Sequence, residues 1–166
     1  YGDVGTGKTY LAACIANALL NQGIRVKWLT TMQIVERSCF YSESEYAEYN
    51  RSITAPDLLI IDDLGAERGT DFALERVHSL VDTRISANLP MIVTTNIDIT
   101  DMGNCTDLKK KRTFDRIMPA TFAFAMKGTS YRMKLAQKSY EARKDLRLSE
   151  ETIGKDGNTN ENDQNV

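Results

Sequence analysis

The residues most able to do chemistry stand at the start of the chain. Gly2 to Thr9 reads GDVGTGKT, a complete G-x-x-x-x-G-K-[ST] phosphate-binding loop. Its glycines let the backbone turn tightly and direct N–H groups at phosphate oxygens, and a helix that begins near Lys8 adds a positive dipole. We expect the Lys8 amine to bind the β- and γ-phosphates of a nucleotide and the Thr9 hydroxyl to bind Mg²⁺. The alternative is a glycine-rich turn before a helix.

The nucleotide-binding residues predicted from this loop are contiguous. They are Gly2, Asp3, Val4, Gly5, Thr6, Gly7, Lys8, Thr9 and Tyr10.

A pair of carboxylates forms the second candidate site. Leu58 to Ile61 is fully apolar, as is typical of a buried parallel strand, and Asp62 and Asp63 follow it directly. We expect Asp62 to hold Mg²⁺ and Asp63 to orient or deprotonate an attacking water. Many ATPases with such a phosphate-binding loop have glutamate at the second position, so the shorter aspartate predicts slow turnover. Alternatively, both aspartates only end a strand at the surface.

A polar residue also follows the buried strand predicted over Met91 to Thr95. The Asn96 amide both donates and accepts hydrogen bonds, which suits contact with a γ-phosphate or the attacking water. Thr95 is a weaker candidate for this role. The alternative is that these polar residues only form the turn after the strand.

The region from Asp107 to Arg147 is strongly basic, with twelve Lys and Arg against four Asp and Glu, a local net charge of +8. Such a surface could bind phosphates or nucleic acid, or it could be a solvated helix face. Arg112 and Arg116 are four residues apart and share a helix face. Either could act on a neighbouring subunit's γ-phosphate as an arginine finger. Arg132 could contact the γ-phosphate within its own subunit or pair with a carboxylate.

Helical and strand patterns alternate around these residues. This alternation predicts an α/β fold with a parallel sheet covered by helices on both faces. The expected helices are 8–20, 30–39, 42–50, 70–87, 107–118 (ending at Pro119) and 130–148, and the expected strands are 25–29, 58–61, 91–95 and 121–126. Residues 149–166 are polar and acidic, and we expect them to form a disordered tail.

Composition excludes several other classes. No apolar run approaches the roughly 20 residues of a membrane span, and the three widely spaced cysteines form neither a disulfide framework nor a zinc knuckle. We therefore expect a reduced, cytoplasmic protein without a membrane partner. Since a phosphate loop normally follows a buried strand, we also expect that strand to lie upstream of Tyr1 in a longer chain.

Four sequence blocks together resemble the AAA+ ATPase domain of DnaC-type replicative helicase loaders, within the wider IstB/DnaC-like ATP-binding family. The blocks are YGDVGTGKTYLAACIANALL, IDDLGAER, IVTTN and RTFDRI followed by SYR. The resemblance implies a P-loop NTPase of the additional-strand type. Its fold is a three-layer α/β/α sandwich with strand order 5-1-4-3-2, in which residues 1–148 form an N-terminally incomplete domain that largely lacks the first strand.

The resemblance also implies a function and residue roles. It implies ATP and Mg²⁺ as cofactors, a homo-oligomer, single-stranded DNA binding, and delivery of the replicative hexameric helicase, which would bind through an absent N-terminal region. Asn96 falls on sensor I, Arg116 on the arginine finger and Arg132 on sensor II. The expected catalytic residues are therefore Lys8, Asp63, Asn96 and Arg116, with Thr9 and Asp62 at the metal.

Three alternatives to a loader are distinguishable. IstB-like transposition helpers share the domain, but their Walker B segment more typically reads Asp-Glu-Leu-Gly-Tyr, whereas this chain has Asp-Asp-Leu-Gly-Ala-Glu. A weakly hydrolysing, ATP-dependent DNA-binding switch is consistent with Asp63 in place of glutamate. A signalling GTPase is disfavoured because no Asn-Lys-x-Asp segment is present.

Overall fold

The fold is described by a computed structural model that covers residues 1–39, 43–65 and 71–156. The chain divides into two compact units, Tyr1–Gly128 and a second unit that begins at Thr129. In the part of the chain that the structure describes, no helix is long and apolar enough to cross a membrane.

The first unit is built around a parallel sheet. Its strands are β1 (Val26–Thr30), β2 (Leu58–Leu64) and β3 (Met91–Thr95), in the order β1-β2-β3. Trp28 pairs with Ile60, and Ile60 pairs with Ile92. Parallel strands and this order agree with the 4-3-2 part of the predicted 5-1-4-3-2 sheet.

Helices cover both faces of the sheet. The first unit contains α1 (Lys8–Leu20), α2 (Thr31–Cys39), α3 (Glu43–Thr54), α4 (Asp71–Ser86), α5 (Ile99–Gly103) and α6 (Leu108–Ala120). Alternate residues of β2 enter two separate cores: Leu59 and Ile61 pack with α2 to α6, whereas Leu58 and Ile60 pack with α1. Side chains that alternate along a strand point to opposite faces, so the result is the expected three-layer α/β/α arrangement.

Local sequence signals account for two helix starts. At α2, the Gln33 N–H donates to Thr30 Oγ1 at 3.1 Å while the Thr30 N–H donates to Gln33 Oε1 at 3.0 Å, which is the reciprocal capping box. At α6, Asp107 Oδ1 accepts the N–H of Lys109 at 2.9 Å. The helix continues through Pro119 to Ala120, slightly beyond its expected end.

The buried Arg84 guanidinium ties together the amino ends of two strands. Its nitrogens donate to the carbonyl oxygens of Pro56 and Pro90 at 2.7 and 2.5 Å, and to those of Thr54 and Asp57 at longer range. Burial lowers the pKa of Arg84. Because Pro56 precedes β2 and Pro90 precedes β3, this residue fixes where both strands begin.

The prediction of a strand over Thr121–Met126 is wrong, because these residues do not join the sheet. The backbone nitrogen of Tyr1 donates to Phe124 O, and the Met126 N–H donates to Tyr1 O, each at 2.8 Å. Two bonds of this kind follow the pattern of a parallel ladder, but they do not extend into a strand in the structure. Between this segment and β3 lies a groove of about 860 Å³ with a mainly apolar lining.

The second unit contains α7 (Tyr131–Asp156). Ser130 Oγ accepts the N–H of Met133 at 3.3 Å at its start. The helix extends beyond its expected end at residue 148, into the stretch whose composition predicts a disordered tail. The stretch from Ser149 to Ile153 contains neither glycine nor proline, and a helix can therefore propagate through it. Residues 157–166 lie outside the described residues.

Candidate nucleotide-binding site

The phosphate loop leads directly into α1, as its motif predicted. Gly7 precedes the helix with φ 95° and ψ 14°, a left-handed conformation that glycine adopts without a side-chain clash. Gly2 has φ 139°, and a Cβ added there would lie 2.2 Å from the carbonyl oxygen of Met126. Both positions therefore require glycine.

Lys8 is buried inside the loop. The residue is 8% exposed, and its Nζ donates to the carbonyl oxygens of Gly2 and Asp3, each at 2.6 Å. Thr6 Oγ1 also donates to Asp3 O, at 2.8 Å. The loop thus wraps around the ammonium group, which concentrates positive charge beside the amino end of α1.

The sheet brings Asp62 against the start of α1. Asp62 is 5% exposed, and its Oδ1 accepts the hydroxyl of Thr9 at 3.1 Å. The two residues lie far apart in the sequence but belong to the two segments that the motifs singled out. A carboxylate and a hydroxyl are hard oxygen ligands, which Mg²⁺ prefers. The donor set therefore fits the predicted metal.

Asp63 differs from Asp62 in both exposure and backbone. It is exposed and has φ 57°, which is uncommon for a residue with a side chain. The pairing of β2 with β3 shifts register between Ile61 and Leu64, so an irregularity in the strand coincides with this residue. Regular alternation would turn Asp63 toward the core that holds Leu59 and Ile61, but with the irregularity Leu64 enters that core and Asp63 is exposed.

Sequence analysis missed Thr94, which contacts the Walker B segment directly. Thr94 is buried in β3, and its hydroxyl donates to Asp62 Oδ1 at 2.5 Å and accepts the Asp63 N–H at 3.0 Å. The available signal was a hydroxyl residue inside a buried apolar strand, where a polar group needs a partner.

Thr95, the weaker sensor candidate, makes its hydrogen bonds within the turn after β3. Its hydroxyl donates to Leu64 O at 2.8 Å and accepts the Ile97 N–H at 3.0 Å, so it closes the turn after β3. Asn96 follows immediately and is exposed at the carboxyl end of β3. Because parallel strands end at one edge of the sheet, Asn96 stands at the same edge as Asp62. Its contact with a γ-phosphate stays a prediction.

The candidate arginines lie on α6 and α7. Arg116 on α6 forms an ion pair with Asp82 on α4, with 2.7 Å between Nη2 and Oδ1, and its side chain is 53% exposed. Arg112 lies one turn earlier and is exposed. Lys109 pairs with Asp71 in the same way, at 2.5 Å, so part of the basic face of α6 serves to join it to α4. Arg132 lies in the first turn of α7, in the second unit, and its sensor II role stays a prediction.

Comparison with known proteins identifies the family. The model of the IstB-like ATP binding protein family matches residues 1–139. The chain belongs to the IstB-like ATP-binding family. This membership confirms the family part of the resemblance and supports ATP as its ligand.

Curated relatives include two kinds of protein. The replicative helicase loader DnaC of Escherichia coli K12 is 30% identical over 146 residues, covering 84% of this chain and 57% of the relative. A Mycobacterium tuberculosis protein named for ATP binding and for its place in an insertion sequence is 24% identical over 135 residues, covering 80% and 54%. The chain thus spans little more than half the length of these relatives.

Solved structures confirm the AAA+ P-loop fold. The crystal structure of DnaI is 26% identical, with a TM-score of 0.63, covering 78% of this chain and 69% of that one. The DnaC helicase loader structure has a TM-score of 0.64 at 21% identity, covering 76% and 75%. DnaA bound to AMPPCP and single-stranded DNA has a TM-score of 0.63 at 18% identity, covering 86% and 44%.

Proposed function

We propose that this family member is an ATPase that loads the replicative helicase during DNA replication in the cytoplasm. The observation that carries the proposal is the contact between Thr9 and Asp62, which joins the phosphate loop to the Walker B carboxylate at one edge of the sheet. The 30% identity to DnaC supports the loader over other uses of the same domain. Its partners would be the hexameric helicase, single-stranded DNA and further copies of this chain.

The buried ammonium group explains how the loop would bind ATP. Lys8 Nζ lies beside the carbonyl oxygens of Gly2 and Asp3, from where it would reach the β- and γ-phosphates. The N–H groups at the start of α1 would supply further positive charge. Thr9 and Asp62 would hold Mg²⁺, which neutralises phosphate charge when it is bound.

Hydrolysis would use groups at the carboxyl edge of the sheet. The exposed Asp63 carboxylate would orient the attacking water, and the Asn96 amide would contact that water or the γ-phosphate. Arg116 is proposed to act on the ATP of a neighbouring subunit, where it would stabilise charge as it develops. That role requires Arg116 to leave Asp82, which its half-exposed position allows.

Helix α6 would also contribute to DNA binding. Its basic residues and those of α7 would neutralise DNA phosphates and release counterions, so binding should weaken steeply as salt rises. Measurement of the dissociation constant for single-stranded DNA at several salt concentrations tests this: a flat dependence would contradict it.

A second candidate function is an ATPase helper of DNA transposition. It is favoured by the matched family model and by the relative in an insertion sequence. The Asp-Asp pair at Asp62 and Asp63 argues against it, since transposition helpers more typically carry Asp-Glu.

Capture of the helicase separates the two candidates. The natural full-length protein would serve as bait for the hexameric replicative helicase of the same host, first with ATP and then with ADP. Nucleotide-dependent capture supports the loader. Intact ATPase activity without capture would overturn it in favour of the transposition helper, whose transposase would be the next bait.

A further inference from the structure

The buried Thr94 hydroxyl connects the two carboxylates of the site. It donates to Asp62 Oδ1 at 2.5 Å and accepts the backbone N–H of Asp63 at 3.0 Å. A hydroxyl has one proton to donate. The bond to Asp62 uses that proton, and the bond from Asp63 uses an acceptor position, so the hydroxyl is oriented from both sides.

We propose that Thr94 is a positioning residue that holds Asp62 in the orientation needed to bind Mg²⁺. The inference rests on the proposed nucleotide site. Thr9 and Thr94 both donate to Oδ1 of Asp62. If the Thr9 hydroxyl binds the metal, it no longer donates to Asp62. Thr94 then remains as the donor that holds the carboxylate, from the side of β3.

The same hydroxyl holds the unusual backbone of Asp63. A residue with a side chain at φ 57° persists when its surroundings determine that conformation. Thr94 binds the N–H of Asp63, and the fully buried Thr31 donates its hydroxyl to the carbonyl oxygen of Asp63 at 2.8 Å. Hydrogen bonds thus hold the peptide groups on both sides of the Asp63 Cα. Thr94 therefore links the position of the metal ligand to the direction of the exposed carboxylate that follows it.

Thr94→Val tests the inference because it keeps the shape of the side chain and removes the hydroxyl. The measurement is the affinity of a fluorescent ATP analogue as a function of Mg²⁺ concentration, and again in EDTA. A hydrogen bond to a charged group is strong enough that we expect the Mg²⁺ concentration for half-maximal tight binding to rise about tenfold. Affinity in EDTA should not change, since Thr94 contacts the metal ligand and not the phosphate loop.

Two further variants separate positioning from general destabilisation. Thr94→Ser keeps a hydroxyl and should restore the parent Mg²⁺ requirement. Thr113→Val removes an equally buried hydroxyl, 4% exposed, whose neighbour is His78 Nδ1 at 3.5 Å. It should lower the melting temperature while leaving the Mg²⁺ requirement unchanged. If Thr94→Val does not fold, Thr94→Cys replaces the hydroxyl with a weak S–H donor and should give an intermediate shift.

The outcomes distinguish failure of this inference from failure of the proposed function on which it rests. A parent protein that binds no nucleotide overturns the proposed function and this inference together. A parent with Mg²⁺-dependent binding, but a Thr94→Val or Thr94→Cys variant with the same Mg²⁺ requirement, overturns the role of Thr94 alone. An equal shift in Thr113→Val also overturns it, because the effect would then follow from lost stability.

Discussion

Replacement of Gly2 by alanine should weaken ATP binding through the backbone of the phosphate loop. Gly2 has φ 139°, outside the regions that alanine favours, and the added Cβ would lie 2.2 Å from the Met126 carbonyl oxygen. That oxygen belongs to the backbone, and the Met126 N–H is itself bonded to Tyr1 O at 2.8 Å. The neighbour therefore cannot move aside without breaking another contact, and the loop must change instead.

The size of the effect follows from the cost of the conformation. A residue held in a sparsely populated backbone region costs about 1–3 kcal/mol, and each 1.4 kcal/mol changes an equilibrium constant tenfold. Because the loop is short and at the surface, it can relax locally, and ATP binding must then restore the strained form. We expect the dissociation constant for ATP to rise by about ten- to a hundredfold, as titration calorimetry would measure.

Gly23 provides the matched control. It also has a positive φ, 80°, but a Cβ added there meets no atom within 4 Å. Gly23→Ala should lower the free energy of unfolding by about 1–2 kcal/mol, the cost of a left-handed conformation, and leave ATP affinity unchanged. Parent-like ATP affinity in Gly2→Ala would refute the reasoning, as would an equal loss of affinity in Gly23→Ala.

Three further predictions concern the charged residues. Arg116→Ala should lower the ATPase rate by about 10³-fold or more while ATP binding persists, whereas Lys8→Ala should weaken binding itself; normal turnover in Arg116→Ala would exclude the interfacial site. Asp63→Glu should raise kcat in a steady-state assay, because a longer carboxylate reaches further toward the water; unchanged turnover would count against the role of Asp63. Arg25 hydrogen-bonds Asp57 and lowers the pKa of that carboxyl from 3.8 to about 2. The pair therefore stabilises the fold above about pH 4, and this stabilisation is lost as the pH falls toward 2. Acid unfolding of Arg25→Ala should lack this dependence on pH.

Features encoded by neighbouring residues were predictable from the sequence. The phosphate loop and the first helix are contiguous, so the motif alone placed Lys8 at the start of α1, as the structure confirms. The capping box of Thr30 and Gln33 also needs only a spacing of three residues, and both of its hydrogen bonds form. Such signals succeed because the interaction is complete within one turn of chain.

Features that depend on a distant partner were not predictable. The alternation in TFAFAM fits a strand, yet a strand forms only beside a partner strand, and this segment makes two backbone hydrogen bonds with Tyr1 without joining the sheet. Likewise, the spacing of Arg112 and Arg116 indicates a shared helix face but does not reveal that Arg116 pairs with Asp82 on α4. In each case the sequence indicated the chemistry of the side chains but not which distant residues they would contact.

The two adjacent threonines of β3 show where the limit lies. Thr94 and Thr95 have the same side chain and are both buried, but side chains alternate between the faces of a strand. Thr94 therefore contacts Asp62, while Thr95 bonds the Leu64 carbonyl. Assigning these roles requires the pairing of β3 with β2, and that pairing shifts beside Asp63. Asp63 in turn keeps its conformation through bonds from Thr94 and Thr31. The irregular backbone at Asp63 and the positions of the threonine hydroxyls thus depend on each other. The sequence pattern of a single strand cannot predict either one alone.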